Sequence, residues 1–397
     1  MRVLCFFAGG IEPLLALLES GTQKAKENSI AAISMLAESD SIQRRIVQSG
    51  GITLLAAVLA TSSNIKELMA YPQLYSLAAS ALTKLAKGNA EHQAKITEAG
   101  GIPSLVSCMS APLPELQANA AACLGNLAEG NFDNQAAIAR TGAVAPLCTL
   151  VREGADMVKE QAAGALWSLT IDNKPNKDTV TKLGGIEPLV SLIVNGTTEN
   201  SLKQAMGALA SLCAKHVENR ETIAKLIVNR MANRTQLAQT DNGPERVLSA
   251  VSMMCNGSSA NQAAIAKAGG VPPLILWLSG GGGAAGGDGA KSSTEGTAAL
   301  QGAQAAAATA LLSMVAGNEM LQVRAAPPHS LANPRPALRS PCNGASPRMP
   351  YHDPGLAPLP VMRARALVHA QIPPVVRARA PCTDACAGDG ARNLRRP

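Results

Sequence analysis

One phrase recurs along this 397-residue chain at near-fixed intervals. It reads Gly9-Gly10-Ile11-Glu12-Pro13-Leu14, then Gly50-Gly51-Ile52-Thr53-Leu54-Leu55 and Gly100-Gly101-Ile102-Pro103-Ser104-Leu105. It returns as Gly142-Ala143-Val144-Ala145-Pro146-Leu147, Gly184-Gly185-Ile186-Glu187-Pro188-Leu189 and Gly269-Gly270-Val271-Pro272-Pro273-Leu274. The second positions are separated by 41, 50, 42, 42 and 85 residues. The last interval spans a degenerate copy, and the interval of 50 is one copy with extra residues near Ser62–Tyr71. A period of roughly 40–47 residues belongs to stacked helical repeats. Each repeat packs only on its neighbours, so the core grows lengthwise and chain length does not count domains.

The copy from 132 to 173 is the cleanest. Phe132 to Arg140 reads as a short helix with Asp133 or Asn134 as N-cap, stopped by Thr141-Gly142, where glycine accepts a left-handed conformation at little cost. Val144 to Val151 follows as a medium helix, with Pro146 in its first turn, where proline is tolerated. Met157 to Thr170 is a long helix whose Val158, Ala162, Ala165, Leu166 and Leu169 recur at intervals of 3 and 4, the spacing of a buried stripe. Aromatics make up 2% of the chain, and small aliphatic side chains suit close helix packing.

Three helices per repeat, the Gly-Gly-Ile-x-Pro-Leu turn, and the run Ala121-Ala122-Cys123-Leu124-Gly125-Asn126-Leu127-Ala128 together resemble the armadillo repeat. The resemblance covers roughly residues 9–320. It implies an all-α, right-handed α-solenoid of about seven three-helix repeats. In this register the copies are 1–39, 40–89, 90–131, 132–173, 174–216, 217–258 and 259–317. The first lacks a recognisable short helix. In the sixth, the short helix beginning at Asn219 runs on without a break. The seventh carries a Gly/Ser-rich loop, Ser279–Gly296, of flexible composition.

Armadillo proteins resemble one another in lining a concave groove with the long helices and holding an extended peptide there. The family pattern is an asparagine ladder with tryptophans one turn earlier. Here the ladder positions are Met35, Lys84, Asn126, Ser168, Ser211, Met253 and Ser313. The positions four residues before them (Ala31, Ser80, Ala122, Gly164, Gly207, Ser249 and Thr309) contain no tryptophan. A nuclear-import adaptor is therefore disfavoured. Seven residues before the ladder lies another row: Asn28, Leu77, Asn119, Gln161, Gln204, Arg246 and Ala306. Four of its seven members are amides, which both donate and accept and so suit a peptide backbone of any sequence. The adjoining positions mix charge signs, which predicts neither a strongly basic nor a strongly acidic ligand. Trp167 stands beside the central groove as a hot-spot candidate or a packing residue against the next repeat. Trp277 reads as core.

No nucleophile–base pair and no zinc-spaced Cys/His set is legible, so the reading is non-enzymatic, without cofactor or metal. Gly286 to Ser292 lacks the glycine directly before lysine that a phosphate loop needs. His92 and His216 read as surface residues without acidic partners. Nine cysteines, an odd number, point to a reducing cytoplasmic or nuclear setting. The apolar run at the start is short for a signal peptide, and none approaches the roughly 18 residues of a membrane span.

Residues 324–397 hold eleven Arg, three Asp and no Lys or Glu, a net charge of +8 against +7 for the whole chain, so residues 1–323 carry −1. This Pro/Arg/Ala-rich tail is expected to be disordered, and its composition resembles translated GC-rich non-coding sequence, an expectation of a truncated or mis-spliced gene model. The functional expectation is a protein-binding scaffold for extended segments, with no small-molecule substrate and no specific nucleic acid. The central copies also resemble vacuole-anchoring and plant U-box ligase armadillo proteins, implying a membrane-linked adaptor or a substrate-binding part of a ubiquitin ligase. Position 2 is Arg, not the Gly of a myristoylation signal, and no U-box-like segment precedes residue 9.

Overall fold

The computed structural model describes residues 9–63, 65–237, 240, 242–280 and 294–316. The tail from residue 324, residues 1–8 and the core of the Gly/Ser-rich loop at 281–293 lie outside the described residues. Among the described residues every regular element is helical. The first repeat contributes α1 (Ile11–Ser20) and α2 (Gln23–Leu36). The second contributes α3 (Asp40–Gln48), α4 (Gly51–Ala60) and α6 (Pro72–Ala86), and its insertion forms a 3-10 turn, Thr61–Ser63, and α5 (Ile65–Ala70). Three regular triplets follow: α7 (Ala90–Glu98), α8 (Gly101–Met109) and α9 (Pro114–Ala128); α10 (Phe132–Arg140), α11 (Val144–Glu153) and α12 (Asp156–Thr170); α13 (Lys174–Lys182), α14 (Ile186–Asn195) and α15 (Glu199–Cys213). The degenerate copy is α16 (Val217–Ala232), α17 (Arg234–Leu237) and α18 (Gly243–Cys255). The last comprises α19 (Ser259–Lys267), α20 (Val271–Leu278) and α21 (Thr294–Val315).

The continuous α16 follows from its sequence, because no Gly-Gly interrupts it. Elsewhere the first glycine of the repeated phrase turns the chain between short and medium helices. Gly142, with φ of 77°, adopts the left-handed conformation that a side chain would strain. Long helices pack successively, α6 on α9, α9 on α12, α12 on α15 and α18 on α21. Small residues permit this approach: Ala120, Ala121, Ala162 and Ala165 are buried, and a Cβ on Gly125 would stand 3.1 Å from Ala165 Cα.

A polar ladder joins the repeats, and its members differ from the sequence expectation. Asn131, rather than Asp133 or Asn134, caps α10: its Oδ1 accepts from the Asn134 amide at 3.0 Å. Asn89, Asn173, His216 and Ser258 cap α7, α13, α16 and α19 in the same way. The residue three beyond the cap turns back onto the preceding long helix. Asn134 Nδ2 donates to Leu127 O (2.9 Å) and Asn176 Nδ2 to Leu169 O (2.8 Å), the same seven-residue reach in both. The next residue spans two repeats. Gln93 donates to Ala86 O and Asn126 O, Gln135 to Ala128 O and Ser168 O, and Gln262 to Cys255 O and Ser313 O. These acceptors are last-turn carbonyls, which no intrahelical N–H can reach.

Both histidines belong to this ladder and are buried, correcting the expectation of surface residues. His92 Nδ1 lies 3.0 Å from Leu85 O. His216 caps α16 through Nδ1, while its Nε2 lies 2.8 Å from Asp178 Oδ1, the acidic partner that the linear sequence concealed. That contact and Lys174 hold the Asp178 carboxyl below the usual aspartate range.

Lys177 occupies the two-repeat position in its copy. Only 4% exposed, it donates to Ala214 O at 2.7 Å. Removal from water lowers its pKa below the ordinary lysine range, opposed by nearby Asp172. The folded state thus disfavours the ammonium, and stability limited at neutral pH should rise as pH climbs through the lowered pKa towards the lysine range. Lys177→Gln, matching Gln93 and Gln135, is expected to stabilise by about 1 kcal/mol, and Lys177→Met to destabilise by a similar amount by stranding a carbonyl. Thermal unfolding checks both, with the advantage of K177Q shrinking at alkaline pH.

Candidate functional site

The predicted groove residues all lie on long helices, but the structure does not use them alike. Asn126, Gln161, Trp167, Ser168 and Gln204 line a single cavity of 240 Å³ between α9, α12 and α15. Asn119, two turns earlier on α9 than Asn126, is not among the lining residues. Its Nδ2 donates to Ser76 O (3.1 Å), and Asn126 Nδ2 donates to Thr83 O (2.9 Å), so each amide commits one proton to α6. The remaining proton and the oxygen of each have no described partner. Gln161 donates to Glu160 Oε1 at 3.3 Å. Gln204 reaches back over α12, its Oε1 2.9 Å from where a Cβ on Gly164 would stand.

Three predicted residues sit elsewhere. Ser211 Oγ accepts from Thr170 Oγ1 at 2.9 Å, a bond between neighbouring long helices. Asn28 is exposed on α2, remote from the cavity lining. Arg246 turns towards the preceding repeat, where its guanidinium donates to Ile193 O (2.7 Å), Thr198 O (3.2 Å) and Ser201 Oγ (3.3 Å). Desolvation lowers its pKa, and its donors are spent on one last-turn carbonyl of α14, on the N-cap carbonyl of α15 and on a serine hydroxyl.

Trp167 forms a wall of a second, larger cavity as well. This one measures 680 Å³, and its apolar lining comes from Leu202, Met206, Ala210, Met253 and Met254. The ring packs on Gly207, where a Cβ would come within 2.5 Å of Trp167 Cε3. Packing and lining are therefore both properties of Trp167. Met253 is 50% exposed whereas Met206 and Met254 are buried, so one thioether forms the rim and two the floor. Lys203 and Glu199 give that rim one charge of each sign. Leu202, Met206 and Met254 were not legible in the sequence; the available signal was a tryptophan with glycines, 164 and 207, at equivalent positions of two successive long helices.

Nucleophilic chemistry has no foothold in the described cysteines. Burial pushes the thiols of Cys123, Cys213 and Cys255 up to about 12 and that of Cys148 to about 11, leaving them protonated near neutral pH. Among the described residues no group of His, Cys, Asp and Glu has a metal-binding arrangement. No described helix is long and apolar enough to cross a membrane.

Gly207→Ala is expected to displace Trp167, constrict the apolar cavity and cost about 1–3 kcal/mol through overpacking. Chemical denaturation with the near-ultraviolet circular dichroism of the indole measures both effects; an unchanged indole signal contradicts the packing described.

Residues 89–129 and 131–171 match the Armadillo/beta-catenin-like repeat family. No curated protein matches the sequence. Similar solved structures include an engineered protein at 23% identity and TM-score 0.49, covering 76% of this chain and 97% of that one. A designed armadillo repeat protein in complex with the peptide (KR)4 matches at 19% identity and TM-score 0.48, covering 75% and 98%. Computationally designed armadillo repeat proteins for modular peptide recognition match at 20% identity and TM-score 0.48, covering 75% and 99%.

Proposed function

We propose that this armadillo-repeat solenoid is a non-catalytic scaffold that holds an extended, near-neutral polypeptide segment along its long helices. In this reading one large apolar side chain of the segment seats against Trp167. The carrying observation is that Trp167 walls two adjoining cavities, one polar with Asn126, Gln161, Ser168 and Gln204, the other apolar with three methionines. A polypeptide offers a donor and an acceptor at every residue, which amides can match regardless of sequence. Its side chains alternate, so an apolar one can enter the methionine-lined cavity while the backbone stays on the amides. Methionine adapts to varied partner shapes. Burying a Leu- or Phe-sized anchor contributes about 1.5–3 kcal/mol.

The test is selection of random peptides displayed against the full chain. The expected winners carry a large apolar residue in an otherwise uncharged stretch. Replacing Asn119, Gln161 and Gln204 together by Ala is expected to weaken the selected peptides by about tenfold or more, since each lost amide pairing is worth about 1 kcal/mol. Unchanged affinity in that triple variant, or selection of peptides that bind away from Trp167, contradicts the reading.

A further inference from the structure

We infer that a second site binds a phosphomonoester dianion in the cleft between the medium helices α11 and α14. The cavity there measures 350 Å³, and its polar lining is Arg152, Lys159, Glu187, Ser191, Asn195 and Arg230. Arg152 ends α11 and reaches towards the following repeat, its Nη2 4.0 Å from where a Cβ on Gly184 would stand. Lys159 rises from the start of α12, and Arg230 from the last turn of α16. Arg230 Nη2 lies 2.6 Å from Glu187 Oε1, so these two charges answer each other. The side chains of Arg152 and Lys159 form no ion pair or hydrogen bond with a described residue. The cleft therefore gathers two unmatched positive charges in an array whose first 323 residues sum to −1.

The preceding junction shows that the fold alone does not produce this charge. An equivalent cavity of 590 Å³ lies between α8 and α11. In the 42-residue register, Ser110 stands for Arg152, Gln117 for Lys159, Thr149 for Ser191 and Glu153 for Asn195. That cleft holds a carboxylate and no cation among its lining residues. Repeat geometry opens both clefts, and only side chains distinguish them.

Two like charges facing one cavity repel, and a dianion answers both where a carboxylate would answer one. The Arg152 fork suits bidentate contact with phosphate oxygens, and Lys159 acts as a point charge. Asn195 Nδ2 already donates to Ser191 Oγ at 3.0 Å, which leaves the hydroxyl proton to donate into the cleft. Glu187, held by Arg230, does not compete. The same chemistry is presented by free phosphate and by a phosphorylated side chain.

Calorimetric titration of the full chain with inorganic phosphate and with a short phosphoserine peptide tests the site, using the unphosphorylated peptide as control. Saturable single-site binding is expected for both phosphate probes. Arg152→Gln and Lys159→Gln should each weaken it by about tenfold, the loss of one charge-assisted contact. Gln117→Ala, in the sister cleft, should leave it unchanged. A peptide that binds more tightly than inorganic phosphate identifies a phosphorylated chain as the source; equal affinities identify a small anion. Absence of saturable binding by either probe, or undiminished binding in the R152Q/K159Q variant with its helical circular dichroism intact, overturns the proposal.

Discussion

Everything in the array rests on how the last-turn carbonyls of each long helix are satisfied. A helix cannot pair these groups internally, and in a stack of repeats they face the next repeat rather than water. Residues one turn into the following short helix answer them. Asn134 and Gln135 bond Leu127 O and Ala128 O behind them, and Gln135 also bonds Ser168 O in the next long helix. Asn173 Nδ2 then donates to Gln135 Oε1 at 2.9 Å, passing the linkage on. Leaving a buried carbonyl unpaired costs about 1–3 kcal/mol, so the ladder penalises any slip in register between repeats.

With the ends tied in this way, the middles of the long helices are free to vary. They approach closely where Ala and Gly face one another, as Gly125 does against Ala165. Trp167 rests on Gly207. The ring fills the space a Cβ on Gly207 would need, and Trp167 lines a cavity on either side. The medium helices carry clefts at two successive junctions, one lined by a carboxylate without a cation and the next cationic.

Much of this is legible in the sequence. The glycine phrase marked the turns between short and medium helices, and periodicity within 132–173 located all three helices to within a residue or two. The missing phrase near 217–258 correctly signalled the merged helix α16. Polar partners were not legible. Asp133 and Asn134 looked like caps because both residue types serve as caps, yet Asn131 takes that role and frees Asn134 for a buried bond seven residues back. His216 and Asp178 are 38 residues apart and meet only because one repeat separates them. Arg246 sat in a row of groove candidates, but a guanidinium can reach a helix end, and it does.

The chain by itself determined the period, the helical content and the turn positions, because these depend on spacing and on residues a few positions away. The tertiary structure decided which amides line a cavity and which are spent between repeats, where a cavity opens beside Trp167, and which inter-repeat cleft is charged. Those outcomes depend on groups about one repeat apart being brought together, and a side chain's remaining hydrogen-bonding capacity is defined only once its neighbours are in place.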